Sequence, residues 1–356
     1  MVTNMKNIFK TLKNSSDLFI IAEAGSNWKR GTYREDLAQA KKLIKTASIC
    51  GADAIKFQTY DANVYVQHAG KSNYLSKKGL NKSVNDLFNE FSMPYRMLPK
   101  LKHYCQQFNI EFMSTPFSVN DVHAIDKFVN IHKLASFEIN HIPMLHALAK
   151  TKKPIIISTG ASTLDEISFA LKTIKKFNHN QICLLQCTSK YPASIESLNL
   201  SVIPSLKNKY KIPVGLSDHS LDPLIAPLTA IGFGANIIEK HFTLDKSLDG
   251  PDHYFSLDPT ELEIMISALR ESFKSKGNIM KQIHDDEKEL RKFAHRSIQA
   301  IKSIEVGDKF ILGHNIAILR PGNRKRGMEP RFLQKIINKK SKSKINTGDG
   351  ILSTDV

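Results

Sequence analysis

The chain is short of cysteine, of acidic residues and of long apolar runs, and each shortage excludes a class of protein. Its four cysteines, Cys50, Cys105, Cys183 and Cys187, form no CxxC pair and no spacing that reads as a disulfide framework. Cys183 and Cys187 stand in the apolar run 182–187, where the plain reading is a pair of reduced core residues, cysteine behaving as a small hydrophobe. Alternation along a strand puts both on one face, so Cys187 can still border a site at the strand end. No run approaches the ~20 apolar residues needed to span a bilayer, and no membrane partner is expected. Residues 1–16 alternate Lys and Asn with apolar residues and lack a continuous signal core, so the expected location is cytoplasmic.

The acidic shortage leaves 34 Asp and Glu against 51 Lys and Arg, a formal charge of +17. Such a surplus invites a nucleic-acid partner. Against that, lysine heavily outnumbers arginine, the lysines are scattered along helical stretches, and there is no RNA-binding signature or aromatic-basic repeat. The densest cluster, Lys335 to Lys344, reads as a solvated surface. The charge is better assigned to attracting phosphorylated, carboxylated substrates.

What is present is a repeating pattern. Eight short β-branched or apolar runs begin at Leu18, Ala54, Ile110, His132, Pro154, Cys183, Ile212 and Asn236. Amphipathic stretches such as Glu35 to Cys50, Leu164 to Lys176 and Thr260 to Ser275 lie between and after them with apolar residues at helical spacing. Eight buried strands alternating with helices predict an α/β fold of the (β/α)8 TIM-barrel type rather than an open doubly wound sheet. The longest insertion, Tyr60 to Asn89, leaves a C-terminal strand end and is read as a flap over the site. Beyond a charged connector, Lys281 to Arg291, short strands are predicted at 297–301, 316–319 and 344–346, with a short helix near 332–338. The expected division is 1–285 for the barrel and 286–356 for a linker and small β-rich module with little core of its own.

In such barrels the chemistry stands at the C-terminal strand ends. Here those ends carry Glu23; Lys56 with Gln58, two apart and so on one face; Ser114 and Thr115; Lys133, Ser136 and Glu138; Ser158; Gln186, Thr188 and Ser189; Ser217, Asp218 and His219; and Glu239 with His241. Any one of these can be a cap or a turn. Two lysines inside apolar strands are harder to dismiss, because burying an unpaired ammonium is expensive. They point to a site for phosphate and carboxylate. His219 and His241 end neighbouring strands ~4.8 Å apart, close enough to share one ion, with Glu23 across the closure. Imidazole and carboxylate suit Mn, Zn or Fe, with Mg or Co where waters complete the shell.

At this point the strings resemble the sialic acid synthases, the makers of N-acetylneuraminic, legionaminic and pseudaminic acids. The matching segments are 21–27 (IAEAGSN), 51–58 (GADAIKFQ), 114–117 (STPF), 133–138 (KLASFE), 158–160 (STG), 185–192 (LQCTSKYP), 215–219 (GLSDH), 239–245 (EKHFTLD) and 250–253 (GPDH). Arg296-Ser297, Val306-Gly307 and Arg320-Pro-Gly322 resemble the antifreeze-like SAF module, a β-clip domain. The resemblance implies a C–C bond-forming transferase that condenses phosphoenolpyruvate with an N-acylated amino sugar, N-acetylmannosamine or a diacetamido-trideoxyhexose, and water, releasing phosphate. It implies manganese, with magnesium or cobalt as alternatives, on His219 and His241. Lys56, Lys133, Ser136, Ser158 and Ser217 match positions lining the phosphoenolpyruvate pocket, and Gln58, Thr115, Thr188 and Asp252 join them as substrate contacts. Glu23, Glu138 and Glu239 are the catalytic carboxylates. It further implies a domain-swapped homodimer in which Arg320 reaches the partner's sugar site.

There are departures. Gln186 stands where many bacterial members have His, Phe137 resembles the pseudaminic type, and His253 resembles the N-acetylneuraminate and legionaminic types. The loop Asn323 to Met328 carries three basic residues. One alternative is a related synthase acting on a phosphorylated aldose, which the same lysines and metal would serve. Another is a non-catalytic glycan- or nucleic-acid-binding protein on this scaffold. That reading predicts loss of strand-end groups, yet Glu23, both lysines and both histidines are present.

Overall fold

The computed structural model describes residues 17–60, 62–71, 82–177, 181–277 and 279–356. The chain divides into two compact units, Met1–Gly277 and Asn278–Val356. Each of the eight predicted runs forms a strand: β1 (Phe19–Gly25), β2 (Ala54–Thr59), β3 (Glu111–Pro116), β4 (His132–Leu134), β5 (Ile155–Ser158), β6 (Ile182–Cys187), β7 (Val214–Asp218) and β8 (Ile237–His241). The ladder runs β3-β2-β1-β8-β7-β6-β5-β4 and its pairs are parallel. Pairing of the first strand with the eighth makes this a near-closed TIM-like barrel rather than an open sheet. Strand four is shorter than predicted: at Ser136–Glu138 the chain turns into a 3-10 segment.

Parity decides what each strand residue does. Phe19, Ile21, Ala54, Met113, Ile156, Leu185 and Ile237 pack together as the barrel interior. Their neighbours Ile20, Ala22, Ile55, Phe57, Phe112, Leu184 and Ile238 belong to the larger core beneath the helices. Both faces are dry, which is why the strands read as near-continuous apolar runs.

Among the described residues the helices of the first unit are α1 (Tyr33–Ile49), α2 (Val84–Phe91), α3 (Leu98–Gln107), α4 (Val119–Asp126), α5 (Ile142–Lys150), α6 (Leu164–Lys175), α7 (Val202–Tyr210), α8 (Ile225–Gly232) and α9 (Pro259–Ser275). Three start on reciprocal capping boxes, Thr32 with Glu35, Thr163 with Glu166 and Asp258 with Glu261. Each satisfies two backbone N–H groups that have no helical partner. In the insertion after β2, residues 61 and 72–81 lie outside the described residues, and the flap reading falls partly on them. The rest is anchored by Tyr60, Leu87 and Phe91, which pack with Val64, Phe88 and Phe117. Among the described residues no helix is long and apolar enough to cross a membrane.

The two compact units divide at 277/278, beside the boundary at 285/286 expected from the sequence. The charged connector contains α10 (Asp285–Ala294). The Phe293 carbonyl accepts the Gly322 N–H at 3.0 Å, which ties that helix to the small module. Strands β9 (Ser297–Ala300) and β10 (Ile316–Leu319) pair antiparallel. The strand predicted at 344–346 is a single bridge, Ile304 to Ile345, and the predicted helix at 332–338 is a 3-10 turn, Pro330–Lys335. The module has more core than its length suggested, with Ile298, Ile304, Phe310, Ile316, Ile336 and Ile351 buried together.

The interior layer sits directly under the strand-end residues and gives a test of parity. Ile156→Ala, at 1% exposure in the barrel interior, is expected to cost about 2–5 kcal/mol. Ile49→Ala at the 73% exposed end of α1 is expected to cost less than about 0.5 kcal/mol. Urea unfolding of the two variants measures both.

Candidate active site

One turn of parity above the apolar interior, the same inward positions become polar. Glu23 on β1 is the register partner of Lys56 on β2 and of His241 on β8. Gln58 lies opposite Thr115, and Ser217 opposite Glu239. Lys133, Ser158 and Cys187 complete the ring from β4, β5 and β6 and, like Glu23, Lys56, Ser217, Glu239 and His241, are buried.

Lys56 is the hub. Its Nζ lies 2.5 Å from Glu23 Oε2 and 3.6 Å from Glu239 Oε1, and it donates to Thr115 Oγ1 at 3.0 Å. Burial opposes its charge, but the two carboxylates outweigh burial and hold its pKa above the ordinary lysine value. Lys133 donates to Ser158 Oγ at 2.7 Å and to the Leu134 carbonyl at 3.2 Å, with Glu239 Oε1 at 3.8 Å. For Lys133, burial and the charge of Lys56 prevail over Glu239, and its pKa falls.

The carboxylates split in the same way. Burial above all, with the charge of Glu239, raises Glu23 to about 7 against the pull of Lys56. Burial would raise Glu239 too, but two lysines and the Ser217 hydroxyl, 3.1 Å away, hold it below the ordinary value. Gln58 Nε2 donates to Glu23 Oε1 at 3.1 Å. A Cβ at Gly25 would come within 2.8 Å of Asp252 Oδ2, and its φ of +52° also favours glycine. That glycine lets Asp252 approach the end of β1, where it accepts from Ser26 Oγ at 3.0 Å.

His219 and His241 meet edge to face with ring centroids 5.5 Å apart. The Nδ1 of His219 contacts the Thr188 carbonyl at 2.7 Å, as its donor when protonated there, and in that neutral tautomer Nε2 carries the lone pair. Burial, then the charges of His219 and Lys56, put His241 well below the ordinary histidine range, so it is neutral. Among the described residues its buried Nδ1 has no hydrogen-bond partner, and it lies 3.9 Å from Asp252 Oδ2. Two imidazoles with a carboxylate nearby fit a divalent ion whose remaining positions are taken by water or substrate oxygens. Among the described residues no three His, Cys, Asp or Glu side chains gather to hold an ion by themselves.

Other expected residues sit at the margin or elsewhere. Ser136 Oγ accepts the Gly160 N–H at 2.9 Å, and a Cβ at Gly160 would come within 3.0 Å of both that oxygen and Cys187 Sγ. Glu138, on the 3-10 turn after β4, is raised by burial to about 7, and its buried Oε2 has no hydrogen-bond partner among the described residues. Thr188 turns its hydroxyl to the Ser197 carbonyl and serves the centre through its own carbonyl. Gln186 faces away from the interior, donating to the Leu198 carbonyl, and the Ser114 hydroxyl pairs with Thr59. Arg320 is exposed in the second unit. Cys187 does border the site, with Sγ 3.9 Å from His219 Nδ1.

Three features escaped the sequence reading. Tyr191 packs 4.1 Å from the His219 ring and Phe255 lies 4.8 Å from His241. Tyr191 stands inside the quoted string 185–192, but nothing in its spacing marks it. Lys240, between Glu239 and His241, is buried on the outward face and bound to Asp218.

Comparison with known proteins agrees with this geometry. The NeuB family matches residues 43–281. A pseudaminic acid synthase from Campylobacter jejuni is 36% identical, covering 95% of this chain and 96% of its own. An N,N'-diacetyllegionaminic acid synthase from Legionella pneumophila is 36% identical, covering 99% and 98%. A solved structure of an N-acetylneuraminic acid synthetase from Leptospira borgpetersenii aligns with a TM-score of 0.68 at 34% identity, covering 78% of this chain and 90% of that one. With more than half its length matched and these relatives spanning nearly all of it, the chain belongs to the NeuB family.

Proposed function

We propose that this protein condenses phosphoenolpyruvate with an N-acylated amino sugar and water to give a nonulosonic acid and phosphate, a C–C bond-forming transfer. The observation that carries the reading is the pair of buried ammonium groups, Lys56 and Lys133, facing one polar chamber beside two imidazoles. Lys133 with Ser158, Ser136 and Ser217 offers donors suited to phosphate and carboxylate oxygens. Glu23, held near neutrality and bonded to Gln58, is suited to exchange a proton with the acceptor or the attacking water. Glu138 and Asp252 at the rim are suited to sugar hydroxyls or amides.

A divalent ion on His219 and His241, manganese in this reading, would supply Lewis-acid polarisation of the acceptor's aldehyde. In the condensation C3 of phosphoenolpyruvate forms a bond to the aldehyde carbon, whose oxygen takes up a proton, water adds at C2 and gives up its protons, and phosphate leaves with C–O cleavage. The small unit, read as an SAF module, supports a swapped homodimer in which Arg320 serves the partner's site. A phosphorylated aldose is the second reading, favoured by the +17 charge.

Phosphate release from phosphoenolpyruvate with manganese, tested across N-acetylmannosamine and two diacetamido-trideoxyhexoses, checks the reading. Release that requires one of these sugars and stops with chelator is expected; release with a phosphorylated aldose alone would replace the acceptor. His241→Ala is expected to abolish turnover and weaken manganese binding in a folded protein, and unchanged turnover would remove the ion from these histidines. Deleting residues 278–356 is expected to abolish condensation, and a fully active truncated monomer would contradict the swap.

The proton on Glu138 gives a pH test. Its folded pKa of about 7 lies above the ordinary 4.5. The stability it contributes is therefore complete below pH 4.5 and is lost as pH rises through about 7. Melting curves at intervals across that window should show a shallower decline for Glu138→Gln than for the unaltered protein.

A further inference from the structure

Strand β8 ends on Glu239-Lys240-His241, and β7 ends within the matching tripeptide Ser217-Asp218-His219, whose histidine is the first residue beyond the strand. In each, the outer two residues face the chamber and the middle one faces away from it. The middle residues are register partners across the ladder. Lys240 is 1% exposed and Asp218 likewise 1%, so a full ion pair is buried behind the two imidazoles.

The ammonium has three protons, and three strong acceptors surround it. They are Asp218 Oδ2, the Ser220 carbonyl at 2.8 Å and the Asp222 carbonyl at 2.9 Å, with Ser220 Oγ at 3.3 Å. Asp218 in turn accepts the Ser220 N–H at 2.8 Å and the Ser220 hydroxyl at 3.0 Å. The lysine thus gathers the segment immediately after His219 around one point on β8. On its other flank His219 is fixed by the Thr188 carbonyl. None of these groups reaches the chamber, and the catalytic scheme uses none of them.

We propose that Lys240 and Asp218 are positioning residues, which set the place of His219 relative to His241 by holding the chain on both sides of it. Their effect falls on the geometry of the imidazole pair and so on ion binding, and it spares the lysine and serine contacts that hold phosphoenolpyruvate. The inference rests on the reading of His219 and His241 as the ion's ligands.

The experiment measures manganese binding directly, by the electron paramagnetic resonance of free Mn2+, and phosphoenolpyruvate binding by calorimetry, alongside thermal melting. Asp218→Asn/Lys240→Met removes both charges together, so that neither is left buried and unpaired. Manganese affinity is expected to fall about 10–100-fold, the usual cost of losing a group that orients a ligand. Phosphoenolpyruvate affinity is expected to stay within about twofold. Ser220→Ala, which removes one hydroxyl from the cluster and leaves the charges paired, is the milder variant and is expected to weaken manganese a few-fold if the double variant does not fold. His219→Ala is the reference. Loss of manganese in His219→Ala but not in the folded double variant, or in Ser220→Ala where the double variant fails to fold, would overturn the positioning role. No loss in His219→Ala would instead overturn the ion reading on which it rests.

Discussion

Lys56 can be charged in the middle of a barrel because Glu23 and Glu239 flank it, and most of the site depends on that arrangement. A desolvated ammonium without a partner is unstable. Two carboxylates around one lysine, however, leave one carboxylate undercompensated. Burial first, and then the charge of Glu239, raises the pKa of Glu23, while Glu239, which also sees Lys133, stays ionised. The chamber therefore holds an exchangeable proton next to a fixed charge, and that inequality is what acid–base chemistry needs from a set of like residues.

This chamber exists only when the barrel closes. Glu23 meets His241 because β1 pairs with β8, the strands most distant in sequence. Neither α helices nor local turns supply that contact. The dry layer of Phe19, Ile21, Met113 and Ile156 beneath holds the strands at a fixed spacing and excludes water from the site's floor. Electrostatic interactions above it are correspondingly strong. Stability and chemistry use alternate residues of the same strands, so the two are assigned by parity rather than by region.

Much of this was legible. The eight apolar runs, the inward lysines, the two strand-end histidines and Cys187 at the rim all follow from alternation once a strand is recognised. What was not legible is which parity faces inward when polar residues occur at both, as in Ser114-Thr115 and Gln186-Cys187. Thr115 and Cys187 point to the chamber, Ser114 and Gln186 away. Thr188 shows a second limit: its backbone carbonyl, not its side chain, serves His219, and a carbonyl carries no residue signal. The helix α10 gave no sign in the sequence that it goes with the small unit, because it is charged and contains no buried residue; the backbone bond from Gly322 to Phe293 and the approach of the Phe293 ring to that glycine carry no residue pattern.

Lys240 shows the same logic from the other face. Replacing a buried ion pair by apolar residues is often neutral or stabilising, so a pair at the back of β7 and β8 calls for a reason other than stability. An apolar pair would leave the Ser220 and Asp222 carbonyls without their ammonium donor, and buried backbone groups are costly to leave unpaired. The loop would then find another path, and His219 begins that loop. A lysine is the side chain that can cross from one strand and meet three acceptors at a single point, whereas a planar guanidinium spreads its donors. The tripeptide Glu-Lys-His thus spends its outer residues on the chamber and its middle one on keeping the chamber's second histidine in place.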